Sequence, residues 1–258
     1  DGTFAIDDPH RRFDRPKGWM VVGKIGVLRE RIAKTRVAVA GPVGQHLRRH
    51  DTLALLRWTL PTLRKIVGEL PDRLLVVSAG DPMWRGGLSA PQSLFLHAER
   101  PLISENATST VLHEIMHMAL GLDSADGFDW IVEGLAEFYS LQLLARSGTI
   151  SASRYAAAQD HLAAWARDAT RLCGDPSTGS RTALAVGVLT RLDAEIARET
   201  DGTASLDDVT RNLLARGELL DLAGLAAAAT AVIGRKPDAL HSEKLPGCRS
   251  IESESGTD

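Results

Sequence analysis

Apolar positions change their period part-way along the chain. In the first third, short runs of strand type interleave with one of helical type. Trp19 to Val22 and Arg36 to Ala40 read as strands; Val37 and Val39 alternate with Arg36 and Ala38, and Gly41-Pro42 closes the second run. Asp51 is placed to cap a helix, with Leu53, Leu56, Leu60, Leu63 and Val67 following at helical spacing. Pro61 falls inside that pattern and either kinks the helix or opens a second one. Arg73 to Ser78 holds the run Leu74-Leu75-Val76-Val77, as in a strand buried on both faces. Asp81 to Leu88 is turn-rich, with Gly86 and Gly87 together, and Ser93 to His97 is a further strand.

From residue 105 the spacing is helical throughout. Asn106-Ala107-Thr108 matches a glycosylation sequon, but at the start of a helix Asn106 is better explained as its cap. The helix carries Val111, Leu112, Ile115, Met116, Met118 and Leu120 and stops at Gly121. A second helix covers Asp129 to Arg146, with Gly148 as its stop. Ser151 caps a third, through Tyr155, His161 and Trp165 to about Leu172. After a loop from Gly174 to Gly179, a fourth runs from about Arg181 to Arg198. Ser205-Leu206-Asp207-Asp208 opens a fifth, and Asp221 to about Val232 forms the last. The expectation is an α+β fold: an arm over 1–18, mixed strands and helices over 19–104, a helical portion over 105–233, and a polar tail over 234–258 whose end, from Ser250, is disordered.

Composition narrows the partners. A net charge of −3 gives no footing for nucleic acid, and no apolar run is long enough to span a bilayer. The chain begins at Asp1, which fits a removed signal peptide or a trimmed form. Cys173 and Cys248 match no zinc-ligand spacing and are either a disulfide or two free thiols.

The candidate chemistry lies in His113-Glu114-Ile115-Met116-His117 and Glu133-Gly134-Leu135-Ala136-Glu137. Residues four apart on a helix share a face, so His113 and His117 can aim both imidazoles at one metal ion. Burying this polar trio on an apolar helix is costly unless it is paired or metal-bound. A catalytic zinc takes three protein ligands and keeps one position open. Glu133, on the next helix after the turn Gly121 to Gly127, is the best third ligand. Glu114 is the residue to hold and deprotonate the attacking water, and Glu137, one turn beyond Glu133, can accept the spare N–H of a ligating histidine. Residues 86–97 are the candidate edge for an extended substrate, where Gly86 and Gly87 would permit close backbone approach; an ordinary hairpin explains them equally. His97 reads as structural.

These motifs resemble the gluzincins, the thermolysin-like zinc metallopeptidases. Leu192-Asp193-Ala194-Glu195-Ile196, followed by Gly202 and Ser205-Leu206-Asp207-Asp208-Val209, is similar to the catalytic domain of the glycyl aminopeptidase family, over roughly residues 86–216. The resemblance implies one Zn2+ per chain on His113, His117 and Glu133, Glu114 as general base, and a peptide or protein substrate. A processed start, the disulfide option and the resemblance together favour the periplasm or exterior of a bacterium. Two departures stand out. The interval from His117 to Glu133 is shorter than the family's, and the tyrosine that precedes the family's Leu-Asp helix is missing from Ser180-Arg181-Thr182-Ala183-Leu184. Arg181, Tyr155 and His161 are the candidates to replace it as oxyanion stabiliser; for each, a structural role is the simpler account. The missing tyrosine also motivates an alternative: a metal-bearing, catalytically inactive domain that binds a peptide or protein partner.

Overall fold

The first paired strands are β1 (Ile25–Ile32) and β2 (Thr35–Pro42), antiparallel around Ala33-Lys34. Both turn residues have positive φ, 48° and 74°, the two-residue turn whose twist matches that of the flanking strands. The computed structural model in which they are seen describes residues 17–45, 47–174 and 176–248; residues 1–16 of the arm expected over 1–18, and the tail end from Ser250, lie outside it. The strand expected at Trp19 to Val22 does not form, and β1 takes its place. As an edge strand with charged Arg29, Glu30 and Arg31, β1 buries only Ile32 and carries little apolar signal. Trp19 instead lays its ring 5.2 Å from that of Phe95 and donates its indole N–H to the Leu88 carbonyl at 2.9 Å.

Helix α1 (Arg49–Val67) follows and packs on β1 and β2. It begins two residues before Asp51, on Arg48, with no side-chain cap, so Asp51 sits in the first turn, where its charge suits the helix dipole. Pro61 lies inside one unbroken helix. Leu53, Leu56, Leu60, Leu63 and Val67 are all buried. The chain then enters β3 (Arg73–Ala79), parallel to β2, and β4 (Gly87–Ala90) turns back antiparallel to β5 (Ser93–His97), which is parallel to β3. The sheet order is β1-β2-β3-β5-β4. The candidate substrate edge is therefore narrower than residues 86–97: β5 is interior and wholly buried, and only β4 is an edge.

Helix α2 (Thr110–Leu120) packs on β4 and β5 and is capped by Ser109, not Asn106. The Ser109 hydroxyl accepts the Leu112 N–H, while the Asn106 amide reaches the His161 ring at 3.1 Å. Gly121 closes α2 in the left-handed conformation. Helix α3 (Asp129–Arg146) is central, with Trp130, Ile131, Leu135, Tyr139 and Leu143 fully buried. It is crossed closely by α5 (Ser180–Glu199): a Cβ on Gly134 would lie 2.8 Å from that of Ala185. Between them, α4 (Ala152–Ala166) stops short of the expected Leu172, whose N–H is drawn to the Pro246 carbonyl at 2.7 Å. Helices α6 (Leu206–Arg216), opened by a capping box of Ser205 and Asp208, and α7 (Leu222–Ile233), capped by Asp221, complete the seven α-helices among the described residues.

Cys173 and Cys248 form a disulfide with both residues fully buried, 75 residues apart in sequence. It ties the tail to the segment that leads into α5. On the chain-entropy view a loop of that size is worth about 4 kcal/mol. Cys173→Ser with Cys248→Ser should therefore lower the thermal midpoint by roughly 10 °C, measured by calorimetry of the oxidised protein and the double variant.

Candidate metal centre

Helix α2 has one polar stripe on an otherwise buried surface. His113 and His117 stand on it one turn apart, with side chains 17% and 15% exposed. Their Nε2 atoms are 3.0 Å apart. Glu133, in the first turn of α3, faces them: Oε2 is 3.2 Å from His113 Nε2, and Oε1 is 3.3 Å from His117 Nε2. Gly134, the next residue, lets α3 press against α5. A tetrahedral zinc with bonds of about 2.0–2.1 Å separates its ligand atoms by about 3.3 Å. The three donors already stand at nearly that spacing, and among the described residues they alone form a cluster of this kind.

The remaining nitrogen of His113, Nδ1, lies 3.0 Å from Glu137 Oε2, one turn further along α3. That contact fixes the ring so that Nε2 points at the shared space. Burial works against a charged His113, but the bonds to Glu133 and Glu137 outweigh it and raise its pKa to about 10. Burial likewise works against ionised Glu133, and the bonds to His113 and His117 overcome it, lowering its pKa to about 2. His113 and Glu133 thus form an ion pair, and His117 Nε2 lies 3.3 Å from the same carboxylate.

Glu114 points into a cavity of about 330 Å³ that also exposes His113, Glu133 and Glu137. It lies against β4: a Cβ on Gly87 would be 2.8 Å from its Cγ and 3.1 Å from Oε1. Only a glycine lets this strand run so close to the acid. A second cavity, about 570 Å³, opens on the other side, where His117 and Glu133 share its wall with Ser89 and Ala90. The His97 N–H donates to the Gly86 carbonyl at 2.9 Å, and bonded pairs alternate along an antiparallel ladder. With Gly87 opposite Leu96 and Ser89 opposite Leu94, the backbone groups of Gly87 and Ser89 face away from β5, one beside each cavity.

Arg181, Tyr155 and His161 do not line either cavity. Arg181 donates to the carbonyls of Gly174 and Pro176, bracing the loop before α5. The Tyr155 hydroxyl accepts from the amides of Gln142 and Gln159, and His161 meets Asn106. His97 is buried, 3.5 Å from Asp81. Trp84, Arg100 and Thr178, which the sequence did not single out, and Trp165, expected only as a position on the third helix, all lie on the first cavity's wall. Trp84 did carry a signal: a large aromatic in a turn-rich polar segment beside two glycines.

The sequence matches no protein-family model and no curated protein. The backbone does find similar solved structures, and the fold is similar to that of the M1 zinc metallopeptidases. An aminopeptidase N family protein from Idiomarina loihiensis aligns with a TM-score of 0.58 at 15% identity, over 84% of this chain and 48% of that one. A two-domain M1 zinc metallopeptidase with L-arginine bound gives 0.58 at 18% identity, over 86% and 52%. An M1 zinc metallopeptidase from Deinococcus radiodurans, bound to a Tyr-Ser-Ala substrate, gives 0.55 at 17%, over 84% and 50%. The chain spans about half the length of these structures, and at such identities the likeness is one of fold.

Proposed function

We propose that this chain carries the active site of a zinc-dependent peptidase. The observation that supports it most is the meeting of His113, His117 and Glu133 at tetrahedral spacing, with Glu114 beside an open sheet edge. The fold shared with zinc metallopeptidases supports it independently. Zinc, when bound, supplies Lewis-acid polarisation of the scissile carbonyl and acidifies water. The chain's own residues do the rest. Glu114 takes the proton from the attacking water and hands it to the leaving amine. Glu137 holds His113 in the tautomer that presents Nε2. The outward backbone groups of Gly87 and Ser89 take the substrate as an added strand, which aligns the bond to be cut past Glu114.

The buried disulfide fits an oxidising compartment, so the periplasm or exterior is the proposed location. Among the described residues no helix is long and apolar enough to cross a membrane. A second reading, a metal-bearing domain that binds peptides without cutting them, is favoured by one observation. None of Arg181, Tyr155 and His161 reaches the cavity, and loss of an oxyanion donor costs roughly 10²–10³ in rate.

The deciding experiment measures bound metal in purified protein and follows cleavage of a peptide mixture. The peptidase reading expects close to one zinc per chain and cleavage that a chelator stops and added zinc restores. Bound zinc with no peptide cut would favour the second reading.

The pairing of His113 with the two carboxylates carries a prediction of its own. His113 holds a proton up to about pH 10, and a cation needs the lone pair on that ring, so the proton must leave on binding. Glu133 is already ionised and has none to give. Zinc uptake at pH 8 should therefore release about one proton from His113, and affinity should fall as pH is lowered. Calorimetric titration in buffers of different ionisation enthalpy measures the count; no release would contradict the His113 pairing.

A further inference from the structure

The cavity beside Glu114 has two aromatic walls. Trp84, from the loop before β4, is 59% exposed, and Trp165, near the end of α4, is 43% exposed. Isolated exposed aromatics need no explanation, but two converging on one concavity next to a candidate active site do. Each ring rests on a glycine. A Cβ on Gly86 would overlap the Trp84 indole, and one on Gly179 would sit 3.4 Å from Cζ2 of Trp165. The indoles therefore stand against bare backbone, positioned yet still open to solvent on the cavity side. Leu162 and Ala183, both buried, also line the cavity and add apolar surface.

Charge decides what such a space can take. Glu114, Glu133 and Glu137 bring three negative charges to the cavity, and Arg100 brings one positive. A divalent cation on the ligand trio would cancel the remainder, so the loaded site has no net pull on either an acidic or a basic side chain. A neutral apolar group gains from contact with both indoles and meets no uncompensated charge. We propose that the cavity between Trp84 and Trp165 is the subsite for a large apolar side chain, aromatic or branched aliphatic, flanking the bond that is cut. This rests on the peptidase reading for the identity of the ligand as a peptide. It goes beyond that reading by naming the side chain selected and the two residues that select it.

Two measurements test it. In the first, zinc-loaded protein is given internally quenched peptides that differ only in carrying Phe, Leu, Ala, Lys or Glu on one or other side of a central bond. On one side, Phe and Leu should exceed Ala, Lys and Glu in kcat/KM by roughly 10–100-fold. Trp84→Ala and Trp165→Ala should each shrink the Phe-to-Ala ratio several-fold while zinc content stays the same. In the second, zinc-loaded Glu114→Gln protein is titrated with the Phe and Ala peptides and followed by tryptophan emission, which needs no turnover. The Phe peptide should bind roughly tenfold tighter and change the emission, and Trp84→Phe with Trp165→Phe should abolish that change. Tight binding of the Phe peptide without cleavage by the native chain would uphold the subsite and overturn the peptidase reading. Cleavage at equal rates for all five side chains would overturn the subsite and leave the peptidase reading standing. Equal binding of Phe and Ala peptides to the Glu114→Gln protein would also overturn the subsite.

Discussion

Glu114→Gln should retain zinc and lose roughly 10²–10⁴ in kcat. The substitution keeps the size and shape of the side chain, so the contact with Gly87 across to β4 is preserved. It leaves the three donors of the metal cluster untouched, since Glu114 is not one of them. An amide cannot accept a proton, so the loss should fall on the proton-transfer step. If substrate is held by the β4 backbone and the cavity walls, KM should change little, the pattern of an interaction made in the transition state alone. Metal analysis and steady-state kinetics on the same preparation separate the two effects. Equal activity of variant and native chain would remove Glu114 as the base.

The ligand helices were legible because their signals are local. The spacing of His113 and His117, the stop at Gly121 and the apolar face of α2 all lie within a dozen residues. Glu133 was legible one step further out, because a short turn between two helices leaves few ways to pack them. The first strand was not legible. An edge strand buries little, and the charged run in β1 hid it, while the apolar Trp19 to Val22 is only a loop docked by its tryptophan. The disulfide was undecidable for another reason: 75 residues separate the cysteines, and only the docking of the tail behind Leu172 joins them.

The cavity wall shows the same limit from the functional side. Nearness in sequence to the family's missing tyrosine pointed to Arg181, but that guanidinium turns back onto its own loop. Trp84 and Arg100 come from two separate loops, and Trp165 from a distant helix. No spacing rule connects them; tertiary packing alone brings them around Glu114.

Glu133→Ala should abolish both metal and activity, a larger loss than that from Glu114→Gln. Glu133 is the only donor of the trio carried by α3, and it touches both histidines. Without it α2 offers two imidazoles, one short of the three protein ligands that a catalytic zinc needs. Glu137 cannot step in, because its carboxylate is turned to Nδ1 of His113, the far side of the ring from the shared space. The same contact predicts a contrast: Glu137→Gln, which spares all three donors, should weaken zinc or activity by only about 10–100-fold. The loss of metal should also appear as a loss of linkage. Zinc at 100 times its dissociation constant would stabilise the native chain by about 2.7 kcal/mol, and the Glu133→Ala chain by nothing. Thermal midpoints of both chains with and without zinc check this. A Glu133→Ala chain that still gained stability from zinc and still cut peptides would place the third ligand elsewhere.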